Sequence, residues 1–356
     1  MPFVNFWYTS GITPIRFHEC LLNKFKIKNQ PIRVICKDSQ FSADLLKWCR
    51  SSNITLIILS SNRFVWLLSV LWLAFLWRNE KHVVNTPIIG LIFSIAATIF
   101  RIRNTIFICH GLTSTDSRKA NPFFLKILER ITLNGYKNTI FVSESLRRYA
   151  VTNLGHCRFS IAINSASGSR PKIVSDNKIK TKVGNLSRIT KAKGIYDFIT
   201  IAEASVRTGL PYEFVIAGWP QDKNLISVVR KAVNVGVIDF LGPLHDQEIE
   251  EFYKNLAIYV STSYREGFGM SALDAQSYGV PVIAYDIIGL QDAIEHGVTG
   301  FLTPPGDISA IVKKLKFYHK NNILYRNHCA AAHRRVAKYF SSEIVTTKYY
   351  KFIDES

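Results

Sequence analysis

The chain of 356 residues has no CxxC pair and no histidine at metal-ligand spacing from its six scattered cysteines, Cys20, Cys36, Cys49, Cys109, Cys157 and Cys329. That pattern excludes a zinc module and a disulfide-stapled scaffold, and reads as reduced thiols in a cytoplasmic protein. No cleavable leader is expected, because Met1 runs into the strand-like FVNFWY without a basic lead-in or a small-residue cleavage site. Nor is any apolar run long enough to span a bilayer, which takes about 20 residues. The most apolar stretch, FVWLLSVLWLAFLW, is fenced by Arg63 and Arg78 and is expected as a buried or interfacial helix. Acidic residues are scarce in the first half: residues 1–172 carry 23 Lys/Arg against 7 Asp/Glu, and the remainder 22 against 19. An anionic partner for the first half follows from that imbalance. No basic motif interleaved with aromatics and no recognition helix accompanies it, so a membrane surface or a phosphorylated lipid fits better than nucleic acid.

What is present is a regular alternation. Single cores stop growing near ~250–300 residues, so a chain of this length with 47% apolar residues suits two globular domains. Short apolar runs alternate with longer amphipathic ones: FVNFWY, IRFHECLLNKF, IRVIC, SADLLKWCR and ITLIIL, then the apolar segments 64–77 and 88–100 flanking HVVNT, then TIFIC ending at His110-Gly111, then NTIFVSES and LRRYAV. Strand–helix–strand repetition is the signature of a parallel sheet, with the two apolar segments as crossover helices. The segment SIAINSASGSRPKIVSD (160–176), rich in Ser and Gly, breaks the period and reads as a linker. A second alternation runs from KVGNL (182–186) through ISAIVKKLKFY (308–318), and a last helix over 343–353 is placed to fold back on the first domain. The expected fold class is α/β, two Rossmann-like domains facing across a cleft. The expected bounds are 1–168 and 169–340, with 341–356 returning to the first domain.

Chemistry concentrates in STSYREGFGMSALDAQSYGVPVIAYD (261–286), where Glu266 precedes Gly267-Phe268-Gly269, a helix starts at Met270, and Asp274 follows one turn on. Glycines let the backbone approach a ligand, and the helix behind them aims unpaired N–H groups and the positive end of its dipole at it. That arrangement suits a phosphate.

The pieces KVGNLSRITKAKG (182–194), FVIAG (214–218), 237–285 and GVTGFLTPPGD (297–307), taken in order, resemble the retaining glycosyltransferases of family 4, whose architecture is called GT-B. The resemblance covers most of residues 182–315 and extends loosely to TIFICHG and NTIFVSESLRR. It implies that Glu266 lies at the hydroxyls of a donor sugar and that Gly267, Phe268, Gly269 and Met270 bring backbone amides to the sugar and diphosphate. Asp274, standing where the family has a second glutamate, would accept from the ribose hydroxyls. Lys193 would neutralise the diphosphate. Asn185 occupies the position of the family's arginine, with Arg188 placed to reach the phosphates instead. His110 would stand beside the donor sugar and acceptor, Gly11 near the phosphates, and Asp292 where the family commonly has a glutamate. Ordinary readings stand beside these: a helix-start lysine for Lys193, a satisfied strand-end histidine for His110, a dipole-stabilised acid for Asp292.

The resemblance implies transfer of a sugar from a nucleotide diphosphate donor to an acceptor hydroxyl with retention at the anomeric carbon. No cofactor is expected beyond the nucleotide sugar, with a UDP-sugar favoured over GDP-mannose. No metal is expected either, since the chain has no Asp-x-Asp. The basic first domain, rich in apolar helices, fits a polyprenyl-diphosphate-linked saccharide acceptor at the inner face of a cytoplasmic membrane, in O-antigen or capsule assembly. The segment 110–131, with Arg118, Lys119, Phe123 and Phe124, is the expected lipid-facing loop. A non-catalytic scaffold, motivated by Asn185 and Asp274, and a sugar-nucleotide epimerase are the competing readings.

Overall fold

The computed structural model describes residues 3–8, 21–25, 27–37, 54–116, 123–156, 159–162 and 180–356. It divides into two compact units, Met1–Thr115 with Lys119–Ser165 and Ser342–Ser356, and Asp116–Arg118 with Ala166–Ser341.

The first unit is built on seven strands: β1 (Val4–Tyr8), β2 (Ile32–Lys37), β3 (Thr55–Leu59), β4 (Lys81–Asn85), β5 (Thr105–Cys109), β6 (Asn138–Phe141) and β7 (Phe159–Ala162). They pair in the order β3-β2-β1-β4-β5-β6-β7, all parallel. Strands covered on both faces need continuous apolar runs, and β1 and β5 are buried along their whole length. At the centre, Trp7 Nε1 donates to His82 Nδ1 (3.1 Å) while His82 Nε2 lies 2.9 Å from the Trp77 carbonyl, which fixes the neutral Nε2–H tautomer. Burial holds the His82 pKa down at about 4.

Right-handed crossovers place the helices Arg63–Leu76, Pro87–Ile99 and Phe123–Asn134 on one face of this sheet, because each connects strands advancing in the same direction. Asn62 caps the first of them by accepting from the Phe64 and Val65 amides. The terminal helix Ser342–Glu355 belongs to this unit: the Tyr350 ring packs on Phe25 at 4.8 Å, and Lys81 Nζ donates to the Ile353 and Asp354 carbonyls.

The second unit has six parallel strands: β8 (Lys182–Leu186), β9 (Glu213–Ala217), β10 (Asp239–Phe240), β11 (Leu256–Ser261), β12 (Val282–Tyr285) and β13 (Gly300–Thr303), ordered β10-β9-β8-β11-β12-β13. Its core gathers Phe198, Ile201, Ile216, Val260, Ile283 and Leu315. In both sheets the strand order reverses beside the first strand of the unit, between β1 and β4 and between β8 and β11, the switch points at which open parallel sheets bind ligands.

Several boundaries differ from the sequence reading. β6 stops at Phe141, because Ser143 caps the helix Glu144–Leu154 by accepting from Leu146 N. β7 takes Phe159–Ala162 and so overlaps the expected linker, whose residues 163–176 lie outside the described residues. VIDFLG contributes only the two-residue β10, and QDAIEHG only the short helix Leu290–Ala293. The helix Asn322–Tyr339 was not expected at all.

Candidate functional site

At the switch point of the second sheet, Asn185 near the end of β8 is buried and donates from Nδ2 to the Val260 carbonyl of β11 (2.8 Å), while its Oδ1 accepts from Ser187 Oγ (2.7 Å). Both ends of this amide are thereby engaged, Nδ2 strapping β8 to β11 and Oδ1 holding the start of the loop that leaves β8. Arg188, two residues beyond β8, is exposed, with no side-chain partner among the described residues.

The loops leaving β8 and β11 are laced to each other. Tyr264 N donates to the Ala192 carbonyl (2.9 Å), and Thr262 Oγ1 donates to the Gly194 carbonyl (2.9 Å). Gly194 ends the 3₁₀ turn Lys191–Lys193 in the left-handed region (φ 63°), and a Cβ there would fall 2.0 Å from the Thr262 oxygen. Only glycine fits. This lacing sets Lys193 Nζ 2.5 Å from Glu266 Oε1, with both side chains largely buried. Behind the pair, Asp197 in the first turn of the helix Ile195–Arg207 accepts from Tyr264 (2.5 Å) and Tyr285 (2.7 Å). Those bonds fasten the Glu266 loop to β12.

The glycine segment ends at Gly269, which precedes the helix Met270–Ser277. Gly289, after β12, lies so close to the peptide joining Gly267 and Phe268 that a Cβ on it would sit 2.8 Å from the Gly267 carbonyl. Phe268 is buried with its ring 5.5 Å from Phe340. Gln276 Nε2 donates to the Ala293 carbonyl (2.9 Å), and Arg335 donates to the Asp292 (2.7 Å) and Ala293 (2.8 Å) carbonyls. Asp292 thus contributes its backbone to an arginine-capped helix end. Asp274 is half-buried beside Tyr253, Tyr259 and Tyr278, whose hydroxyl pKa values are raised, first by burial and then in part by the Asp274 charge; Tyr278 reaches about 12. Tyr259 OH in turn donates to the Leu186 carbonyl (3.1 Å), which places it between β8 and the acids.

Chemically, the site offers a cation, two carboxylates and a helix N-terminus preceded by a glycine segment. Lys193 and the helix start suit a diphosphate, and Glu266 and Asp274 suit sugar hydroxyls. Of the expected residues, the structure gathers Lys193, Glu266, Gly267, Phe268, Gly269, Met270 and Asp274 around two adjoining loops. Sequence reasoning missed Gly289, Tyr259 and Arg335. The glycine in IIGLQDA was a readable signal for the first, whereas the other two act through contacts across the fold.

In the first unit, His110 follows β5 with Nε2 3.3 Å from Asn85 Oδ1, and Asn85 donates to the Trp7 carbonyl (3.4 Å), so a short chain of bonds joins the ends of β1, β4 and β5. Part of His110 reaches the surface, yet enough protein surrounds the ring to lower its pKa to about 4. The turn after it is pinned by Glu129, which accepts from the Thr113 (2.5 Å) and Ser114 (3.2 Å) amides. Gly11, Arg118 and Lys119 lie outside the described residues.

Two parallel Rossmann-like sheets, each with a switch point beside its first strand, give the GT-B fold. Residues 169–336 match the family model "Glycosyl transferases group 1", so the chain carries a group 1 glycosyltransferase domain and is a glycosyltransferase. It is 28% identical over 320 residues, 82% of each chain, to the capsular polysaccharide biosynthesis glycosyltransferase CapM of Staphylococcus aureus. It is also 28% identical to the O-antigen chain mannosyltransferase B of Escherichia coli over 145 residues, 40% of this chain and 37% of that one. Among solved structures, Anabaena Alr3699/HepE in complex with UDP and glucose aligns over the whole of both chains with a TM-score of 0.79 at 17% identity. The sucrose-phosphate synthase of Thermosynechococcus elongatus aligns over 100% of this chain and 99% of that one with a TM-score of 0.83 at 15% identity. At those identities the likeness establishes the fold.

Proposed function

We propose that this glycosyltransferase moves a hexosyl or N-acetylhexosaminyl group from a UDP-sugar to a hydroxyl of a polyprenyl-diphosphate-linked saccharide, with retention and without a metal, in capsule or O-antigen assembly at a membrane surface. The observation that carries the reading is the pairing of Lys193 with Glu266 across the two switch-point loops, directly before a glycine-headed helix. The second unit holds the donor. Lys193, Arg188 and the amides at Gly267–Met270 receive the diphosphate, Glu266 orients the sugar hydroxyls, and Asp274 accepts from the ribose. The bond from the anomeric carbon to the diphosphate oxygen breaks, the acceptor oxygen bonds to that carbon on the same face, and the acceptor proton passes to the departing phosphate oxygen. Fixed cations and amides meet the charge that develops on the leaving group, and the protein contributes positioning and electrostatics. His110, kept neutral by its surroundings, stands in the first unit as the group facing the acceptor.

The support for a saccharide acceptor of this class is the similarity to CapM and the O-antigen mannosyltransferase, together with the basic first unit. Incubating the protein with labelled UDP-sugars, EDTA and a polyprenyl-diphosphate-linked saccharide tests the proposal. Label is expected to pass into the lipid-extractable product with the donor's anomeric configuration. Transfer that EDTA abolishes would remove the metal-free claim, and transfer only to water-soluble acceptors would remove the lipid acceptor. The commitment of Asn185 to a structural strap keeps the scaffold reading in play; it predicts nucleotide binding with no transfer to any acceptor.

A further inference from the structure

The outward side of the first unit's three-helix layer is apolar. Phe64, Leu68 and Trp72 recur every four residues along the helix Arg63–Leu76 and stay exposed, Phe64 at 68% and Trp72 at 63%. On the helix Pro87–Ile99 the exposed set is Ile88, Ile95 and Ile99, and on Phe123–Asn134 it is Phe123, Ile127 and Ile131. These helices pack closely. The Phe75 ring lies 5.3 Å from Phe100 at the end of the second helix, Tyr136 OH donates to the Gly90 carbonyl (2.8 Å), and Gly135 abuts Ser94. The three stripes therefore run side by side. Single exposed hydrophobes are ordinary on a protein surface, whereas adjoining stripes on neighbouring helices mark a binding face.

Charge decides what the face binds. Arg63, Arg78, Arg101, Arg103, Arg130 and Lys137 are exposed on these helices and the turns that follow them. The acids within the same described stretch are engaged or buried: Glu80 pairs with Arg33, Glu129 holds the Thr113 and Ser114 amides, and Asp116 is 6% exposed. A second copy docked face to face about a two-fold axis would bring these cations against one another. An anionic bilayer complements both the apolar stripes and their basic surround.

We infer that this three-helix face is the membrane-docking surface of the protein, with the helices lying in the plane of an anionic lipid surface and Phe64, Trp72 and Phe123 entering the headgroup boundary. The inference rests on the membrane part of the function proposed above and is independent of the donor chemistry. Residues 63–76 and 87–99 are crossover helices, as expected from the sequence, and the structure adds that their inner sides are buried while their outer sides remain apolar and exposed.

The test is flotation of the full chain with phosphatidylcholine vesicles, with and without phosphatidylglycerol. Wild type should float with the anionic vesicles and largely stay behind with the neutral ones. The double variants Leu68→Glu/Trp72→Glu and Arg101→Glu/Arg103→Glu should each lower partitioning by about tenfold or more, as expected from removing two basic or two apolar anchors. Both should keep the wild-type thermal shift with UDP, which certifies their fold. A wild-type protein that does not float overturns the inference. If it is then a dimer by light scattering that Leu68→Glu/Trp72→Glu dissociates, the face belongs to a second copy. A protein that fails to float but transfers sugar to a soluble saccharide loses only the membrane face, while one that floats and binds no nucleotide loses the donor assignment and keeps the face.

Discussion

The two units share one sheet topology and use its switch point differently. In the second, the reversal between β8 and β11 is filled with polar lacing: Asn185 straps the strands, Gly194 admits the neighbouring loop, and Lys193 meets Glu266. In the first, the strands flanking the reversal between β1 and β4 carry Trp7 and His82, which cluster with Phe93, the His82–Phe93 centroids lying 5.0 Å apart; among the described residues, polar contacts run from Asn85 to His110 and from Asn5 to Glu80 and the Lys81 carbonyl. The outer faces differ too, since most of the net positive charge and the exposed apolar stripes belong to the first half. The same topology carries polar lacing at one switch point and a ring cluster beside the other, and the side chains make that difference.

The largest effect that bears on this contrast is expected at Glu266. Glu266→Ala should lower sugar transfer by at least ~100-fold, because an interaction strengthened in the transition state is lost. Steady-state rates near wild type would break the assignment of the site to the second unit.

Next come two glycines. Gly194→Ala should destabilise the protein by on the order of 3 kcal/mol, through strain at a positive φ and collision with Thr262, and should weaken nucleotide binding as well. Gly135→Ala, whose Cβ would meet Ser94 Cβ at 2.3 Å, should cost comparable stability in urea unfolding and leave nucleotide affinity per folded molecule unchanged. Equal losses of affinity in both variants would erase the distinction between the units.

A smaller effect follows from the first unit's histidines. His82 and His110 have folded pKa values of about 4 against 6.5 in the unfolded chain, so between those limits the unfolded state binds more protons. Their contribution to stability is present above pH 6.5 and is lost as the pH falls toward 4; His328 in the second unit shifts in the same direction. A His82→Gln variant, less stable at neutral pH, should lose less further stability across this window in denaturant titrations. An unchanged pH slope would mean that His82 is not held neutral.

The smallest effect is expected at Asp274. The added methylene of Asp274→Glu should retain or improve UDP affinity measured calorimetrically, and a large loss would mean that the helix Met270–Ser277 presents this position differently.

Much of this was legible in the chain. Continuous apolar runs gave β1, β5 and β11, and Glu266-Gly267-Phe268-Gly269 stood out by its own spacing, whereas Lys193-Gly194 was singled out through the family resemblance. What escaped was set by distance and by weak periodicity. Asn185 was placed correctly on its strand, but its strapping of Val260 depends on a pairing 75 residues away. The helix Asn322–Tyr339 buries His328, Ala332 and Val336, a four-residue repeat too polar and too small to stand out, and so Arg335 went unseen. The outward apolar stripes were hidden for the opposite reason. Crossover helices apolar on every side look fully buried until the sheet shows which side is covered.

The central claim is that the second unit's switch point binds the donor without a metal. Thermal unfolding of wild type, Lys193→Ala and His110→Ala with UDP, GDP, ADP and their sugars, each with and without EDTA, tests it most directly, since a ligand that prefers the folded state raises the transition temperature. The account predicts a shift with UDP and its sugars that survives EDTA, disappears in Lys193→Ala and persists in His110→Ala. No shift with any nucleotide, or one that Lys193→Ala retains in full, would contradict it.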